Sequence, residues 1–251
     1  MNNHPKYNYI IELLDVDTIY EGETIPAIRG INLKIKKGEF LCIIGPNGAG
    51  KTTLLETING LLKHTRGKVN VFGKEIKKFG SSIRKEVGYV PQGFSVSSLM
   101  PFLVKDVILM GRFGKIGLFK SASDEDYQKA KEAVDLVGIN GLLKKPIGKL
   151  SGGQLQKVMI ARVLAKDPNI LLLDEPFSSL DFKALAEISE RISSLHEEKN
   201  LTTLMVIHNI PSIPKRCKRA VLINEGIVIQ DGPVDEVLNS GSLKFAYKVK
   251  K

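Results

Sequence analysis

The chain has 251 residues, a formal net charge of +10 and a hydrophobic share of 43%. That is enough for one large domain or a core with a subdomain, while no uninterrupted apolar run approaches the roughly 18–20 residues of a membrane-spanning helix. Two isolated cysteines, Cys42 and Cys217, exclude a disulfide framework and a zinc motif, so reduced thiols are expected. A nucleic acid or an anionic membrane would match the charge. So would a solvated lysine-rich surface, which the scatter of the lysines favours. Only Pro214–Arg219 and the terminal KVKK are clustered, and neither is interleaved with aromatics. The first residues, MNNHPKYNYI, lack a signal-peptide pattern, and a cytoplasmic protein is expected.

Residues 1–40 alternate strand-like runs with turns such as YEGET and KKGE. Ile31, Leu33 and Ile35 alternate with polar residues, the period of a half-buried strand. Phe40–Ile44 is apolar throughout, as a strand covered on both faces is. A glycine loop follows, then a helix carrying Leu54, Leu55 and Ile58 and closed by Gly60. KVNVFG is a further short strand. From residue 93 to 166 the pattern turns mainly helical. Ala130, Ala133, Val134 and Val137 fall at helical spacing, with Ser123 and Asp126 placed for a capping box. A second helix starts at LSGGQ, carries Leu155, Val158, Met159 and Val163, and stops before Pro168. The sheet pattern then returns: NILLLDEP, a helix with Leu185, Ile188, Ile192 and Leu195, TTLMVIH, and a hairpin turning at Gly226. Strands alternating with helices predict a mostly parallel α/β core, with a small antiparallel β part near the N-terminus and a helical insert.

GPNGAGKTT, Gly45–Thr53, fits G-x-x-x-x-G-K-[ST] between an apolar strand and a helix. The glycines let the backbone curl around phosphates with its N–H groups inward. The expected nucleotide loop is Gly45, Pro46, Asn47, Gly48, Ala49, Gly50, Lys51, Thr52 and Thr53. Lys51 would reach the β- and γ-phosphates, and the Thr52 hydroxyl would ligate Mg²⁺. NILLLDEP ends an apolar strand in two carboxylates, at the mouth of the same crevice. Asp174 would hold Mg²⁺, and Glu175 would polarise a water attacking the γ-phosphate.

LSGGQ raises a question. Each glycine costs a helix about 1 kcal/mol relative to alanine. Yet Ser151, Gly152 and Gly153 at a helix start make an anion site, in a chain that already has a phosphate loop. Three other residues have ordinary readings when taken singly. His208 after TLMVI is a satisfied polar residue, Gln92 in GYVPQ a surface glutamine, and Asp181 in SSLD a helix N-cap.

In chain order, GPNGAGKT, YVPQ, LSGGQ, LLLDEP, SSLD and VIH resemble the nucleotide-binding subunit of an ATP-binding cassette (ABC) transporter, from about Tyr20 to Val237. The resemblance implies an α/β P-loop NTPase (RecA-like) core with an antiparallel β subdomain and a helical insert subdomain. Residues 1–92 and 167–240 would form the ATP-binding core, 93–166 the helical subdomain and 241–251 a C-terminal tail. It implies a head-to-tail dimer, a homodimer or paired cassette. In it Ser151, Gly152, Gly153 and Gln154 complete the ATP site of the other subunit. By the same resemblance Gln92 would sense Mg²⁺ and the attacking water while touching the membrane partner. Asp181 would lie across the dimer seam, His208 would hold the γ-phosphate and position Glu175, and Tyr20 would stack on the adenine. ATP and Mg²⁺, the latter near Thr52, Gln92 and Asp174, are the implied cofactors. Separate transmembrane permease subunits and a substrate-binding protein are the implied partners, and the inner face of the cell membrane the implied location. Two positions depart from the family pattern: Lys157 after Gln156 in place of arginine, and Asn209 after His208 in place of aspartate. Lysine keeps the charge but not the bidentate fork.

LMGRFGKIGLFK, Leu109–Lys120, with its flanks is similar to importer subunits for metal ions, particularly the zinc/manganese type. Subunits for ferric-siderophore and cobalamin uptake show a related pattern. This implies ATP-driven uptake of a metal ion or metal chelate. The four histidines, His4, His64, His196 and His208, show no ligand spacing of their own. The alternatives are an exporter ATPase, a nucleotide-responsive scaffold, or a soluble ABC-type ATPase acting on ribosomes or nucleic acid. The last usually carries a second cassette or a long coiled coil, neither of which is present here, and nucleic acid is not an expected partner.

Overall fold

A computed structural model describes residues 8–93 and 96–247. The KVKK cluster, His4 and most of the N-terminal stretch lie outside them. In chain order the strands are β1 (Ile11–Thr18), β2 (Ile28–Ile35), β3 (Phe40–Ile44), β4 (Arg66–Val71), β5 (Lys74–Glu75), β6 (Val87–Val90), β7 (Ile170–Asp174), β8 (Thr202–Val206), β9 (Arg219–Asn224) and β10 (Ile227–Pro233). The helices are α1 (Lys51–Asn59), α2 (Ile76–Glu86), α3 (Val104–Leu109), α4 (Phe113–Ile116), α5 (Asp124–Val137), α6 (Gly152–Ala165), α7 (Phe182–Lys199), α8 (Val234–Leu238) and α9 (Gly241–Ala246). Among the described residues no helix is long and apolar enough to cross a membrane. They divide into two compact units, one of residues 8–84 and 196–247, the other within 85–195.

In the first unit an antiparallel sheet runs β2-β1-β4-β5. Ile31, Leu33 and Ile35 point inward from β2, as their alternation predicts. β3 is buried at every residue and lies parallel between β8 and β9, with Cys42 opposite Met205 and Ala220. Burial on both faces explains its unbroken apolar run. Cys42 and Cys217 are buried free thiols, and burial first of all pushes the Cys42 thiol up. Between β9 and β10 Glu225 and Gly226 both have positive φ, 47° and 79°. A two-residue hairpin loop of that kind matches the twist of its strands. Gly60, at φ 68°, closes α1.

In the second unit β6 and β7 are parallel, Val87 opposite Ile170 and Val90 opposite Leu173. The Ser123–Asp126 capping box is present, and α5 buries Ala133, Val134 and Val137. α6 ends at Ala165, ahead of Pro168. Arg112 ties the helices together. Its Nε donates to Asp126 at 2.8 Å, and its Nη1 donates to the carbonyls of Ala165 and Lys166, where α6 ends. A cation there complements the helix dipole. The helical segment proposed for 93–166 falls inside this unit, but the unit also takes in β6, β7 and most of α7. One reason is close packing: a Cβ on Gly88 of β6 would come within 2.6 Å of Val163 on α6.

Candidate functional site

Two groups of residues predicted from sequence come together, one in each unit. In the first unit β3 runs into the loop 45–50 and then into α1. Gly45, Gly48 and Gly50 have φ of 151°, 76° and 98°. A Cβ on Gly45 would lie 2.1 Å from the Ile223 carbonyl oxygen, and one on Gly50 2.7 Å from that of Ala27. Gly48 has nothing within 4 Å, so only its backbone conformation requires glycine. Pro46 is half-buried, Asn47 exposed and Ala49 buried. The Ala49 carbonyl accepts from the N–H of Gly226, so the β9–β10 turn braces the loop.

Lys51 opens α1 and is buried, and its Nζ donates to the carbonyls of Gly45 and Pro46 at 2.9 and 2.8 Å. No side chain caps this helix, whose N-cap is Gly50. An ammonium group folded over a glycine cradle at an uncapped helix start suits a polyphosphate. Thr52 is half-buried, with Thr53 buried beside it. The Thr53 hydroxyl lies 2.9 Å from that of Tyr20, whose residue remains 39% exposed. His208 belongs to the same group. The N–H of Ile207 donates to the Ile43 carbonyl at 3.0 Å, so His208 emerges, exposed, where β3 passes into the loop. This is the carboxyl end of adjacent parallel strands, where open α/β sheets bind ligands.

In the second unit β7 ends at Asp174, fully buried, and Glu175 follows at φ 47°. The neighbouring parallel strand β6 leads to Gln92, which is exposed. The turn after Glu175 is held at two points. The Ser178 N–H donates to the Glu175 carbonyl at 3.2 Å, and the buried amide of Gln156 donates to the Pro176 carbonyl at 2.8 Å. Asp181 accepts from the N–H of Ala184 at 2.8 Å as the cap of α7, while staying exposed. Its ordinary reading therefore holds within the chain. The sequence names Gln156 only as the family-pattern neighbour of Lys157, with no role. A further signal there is a polar side chain among the core residues Leu155, Val158 and Met159 of α6.

The start of α6 resolves part of the LSGGQ question. Ser151 and Gln154 form a capping box, each side chain accepting from the other's backbone N–H at 3.3 and 3.2 Å. Gly153 packs closely on the turn, since a Cβ there would lie 3.0 Å from the Ser179 carbonyl oxygen. Gly152 has no such constraint, its nearest neighbour being the Ser179 Cβ at 3.9 Å. Nothing inside the unit requires glycine at 152.

The segment Leu109–Lys120 splits in the same way. Gly111 and Arg112 serve the unit's own packing: a Cβ on Gly111 would lie 2.0 Å from the Arg162 carbonyl oxygen. Lys115 donates to the Asp167 carbonyl at 2.8 Å. Phe113, Leu118 and Phe119 are exposed, as are Leu99, Phe102 and Tyr127 in the flanking residues.

A family model described as ABC transporter matches residues 28–178. The chelated iron transport system membrane protein YfeB of Yersinia pestis is 34% identical over 245 residues, 98% of this chain and 81% of that protein. The manganese transport system ATP-binding protein MntB of Bacillus subtilis is 36% identical over 237 residues, 94% of this chain and 92% of that protein. ATP-binding proteins named for spermidine/putrescine import and for sulfate/thiosulfate import match at 34% and 36%. Among solved structures, the dimeric ABC transporter cassette MJ0796 superposes with a TM-score of 0.79 at 31% identity, covering 89% of this chain and 98% of that one.

Proposed function

This chain belongs to the ABC transporter family, and we propose that it is the ATPase subunit of an importer for a metal ion or metal chelate. The carrying observation is the phosphate loop: glycines at positive φ, packed where a Cβ at Gly45 or Gly50 would strike the Ile223 or Ala27 carbonyl, with Lys51 folded back over the loop's own carbonyls. ATP hydrolysis coupled to transport is the chemistry of the family.

Lys51 and the loop N–H groups bind the β- and γ-phosphates. The oxygen donors of Thr52, Asp174 and Gln92 suit a hard divalent cation, so these residues would hold Mg²⁺, which neutralises charge developing on the phosphate oxygens. Glu175 orients a water and takes its proton as the oxygen attacks the γ-phosphorus and the bond to the ADP oxygen breaks. His208 holds the γ-phosphate and positions Glu175 and the water. Tyr20 stacks on the adenine. Ser151, Gly152, Gly153 and Gln154 of a second copy complete the site head to tail, with Asp181 along the seam. ATP binding closes the dimer, and hydrolysis reopens it.

The exposed apolar side chains between Leu99 and Tyr127 support docking on transmembrane subunits at the inner face of the cell membrane. A substrate-binding protein would deliver the cargo. The metal reading rests on the Leu109–Lys120 segment and on the relatives named for manganese and chelated iron.

The test is gentle co-purification followed by ATP-driven uptake in vesicles of zinc, manganese, iron chelates, cobalamin, spermidine and sulfate. Recovery of a permease and uptake of a metal or chelate is expected. Transport of spermidine or sulfate alone would overturn the cargo, and the absence of any permease would overturn the importer. Glu175→Gln should abolish turnover while leaving ATP-bound dimers. In mixed dimers, damage to Ser151 of one copy should impair the phosphate loop of the other.

A further inference from the structure

We propose that Gln156 is a positioning residue that ties the start of α6 to Glu175. Contact at the start of α6 with a second copy's nucleotide would thereby set the carboxylate that acts on the subunit's own. The proposal rests on the head-to-tail reading above.

Gln156 is 3% exposed on a helix face otherwise made of apolar residues. A buried amide without a partner is costly, and most are bonded. This one spans 20 positions in sequence to the carbonyl of Pro176, at 2.8 Å. Pro176 directly follows Glu175, which has a φ of 47°. A side chain bearing that backbone conformation persists only where surrounding contacts hold it. The Gln156 bond, immediately after the strained residue, is one such contact.

A second contact joins the same two elements. Gly153 lies so close to Ser179 that a Cβ would stand 3.0 Å from its carbonyl oxygen. The first turns of α6 therefore touch the Glu175–Asp181 turn at two points. Between Ser151 and Gln156 the helix rises about 7.5 Å as one rigid rod. Packed, bonded elements of this kind transmit strain to one another. A displacement of Ser151 and Gly153 toward a ligand is thereby passed to Pro176 and to Glu175 beside it, the coupling that the double-mutant cycle below measures.

A core polar residue of purely structural value would lower stability and leave the chemical step alone. Gln156→Met keeps the volume and removes the donor, and Gln156→Asn keeps an amide that is too short to reach. Both are to be assayed in the full chain, or in its complex with any permease recovered. Expected is a fall in kcat of roughly ten- to a hundredfold, the range for a misplaced catalytic group, with the KM for ATP within about twofold. In a double-mutant cycle with Ser151→Ala, the effects on kcat should be strongly non-additive, because both changes break one chain of contacts. Unchanged kcat in both variants would overturn the proposal. So would additive effects, or a rise in KM at constant kcat. The dimer reading is tested separately: if Glu175→Gln forms no ATP-bound dimer, that reading fails. If the dimer forms and the Gln156 variants turn over normally, only the present proposal fails.

Discussion

The hydroxyl of Tyr20 lies 2.9 Å from the hydroxyl of Thr53, in the first turn of α1. An aromatic ring is thereby tethered to the phosphate loop while 39% of its residue stays open to solvent. If the ring carries the adenine, Tyr20→Ala should weaken ATP binding by about 5- to 150-fold, the worth of stacking one base. Tyr20→Phe, which loses only the tether, should weaken it less than about fivefold. Calorimetric titration of both variants measures this, and unchanged affinity in Tyr20→Ala removes Tyr20 from the site.

The glycines of the phosphate loop should not be equivalent. At Gly45 an added Cβ meets the Ile223 carbonyl oxygen at 2.1 Å, and the backbone must move. At Gly48 there is open space and only a φ of 76° to sustain, a penalty of about 1–2 kcal/mol. Gly45→Ala should lose nucleotide binding together with stability. Gly48→Ala should keep the fold, with a lower urea midpoint. Equal losses in the two variants would contradict this ordering.

Gly152 offers a sharper contrast. An alanine there meets nothing closer than 3.9 Å and should leave the isolated chain as stable as before, or more stable by about 0.5–1 kcal/mol. Hydrolysis should nevertheless fall, because the added methyl stands where a second copy's nucleotide is to approach. Gly153→Ala additionally requires the Ser179 carbonyl to give by a few tenths of an ångström. Full activity in Gly152→Ala, at any stability, counts against the head-to-tail site.

The buried pair of Arg112 and Asp126, with side chains 7% and 9% exposed, should behave as a structural tie. Arg112→Met removes the cation from Asp126, which keeps its bonds to Ser123, and should destabilise the helical part. The backbone N–H of Ser123 and then Arg112 hold the Asp126 carboxyl below its ordinary value of 3.8, against the opposing effect of burial. A depressed carboxyl contributes stability that is complete above the unfolded value and is lost as the pH falls through the folded one. The stability gap between the wild type and Asp126→Asn should therefore be flat at neutral pH and close below pH 3.8. Urea titrations at a series of pH values read it out.

Much of this molecule is written locally. The phosphate loop, the strand ending in Asp174, the Ser123–Asp126 box and the hairpin at Gly226 each depend on residues only a few positions apart. Backbone hydrogen bonding and side-chain period act over such distances, so the sequence alone determines the glycine pattern of the loop, the acidic strand and the alternation of strands with helices, while the parallel pairing of β3 with β8 and β9 joins residues more than 160 positions apart. Other features were decided at long range. Gly45 cannot be anything larger because of Ile223, and Ala49 is braced by Gly226. The stretch Leu109–Lys120 resembles metal-importer subunits as one continuous segment. The fold instead turns Gly111 and Arg112 inward and leaves Phe113, Leu118 and Phe119 outside. Of the two glycines in LSGGQ, only Gly153 is accounted for within the chain, by the turn packed against it. Gln156 finds Pro176 across 20 positions, through the rotation of α6 against the end of β7. Such contacts depend on how distant elements pack, and no local pattern encodes that.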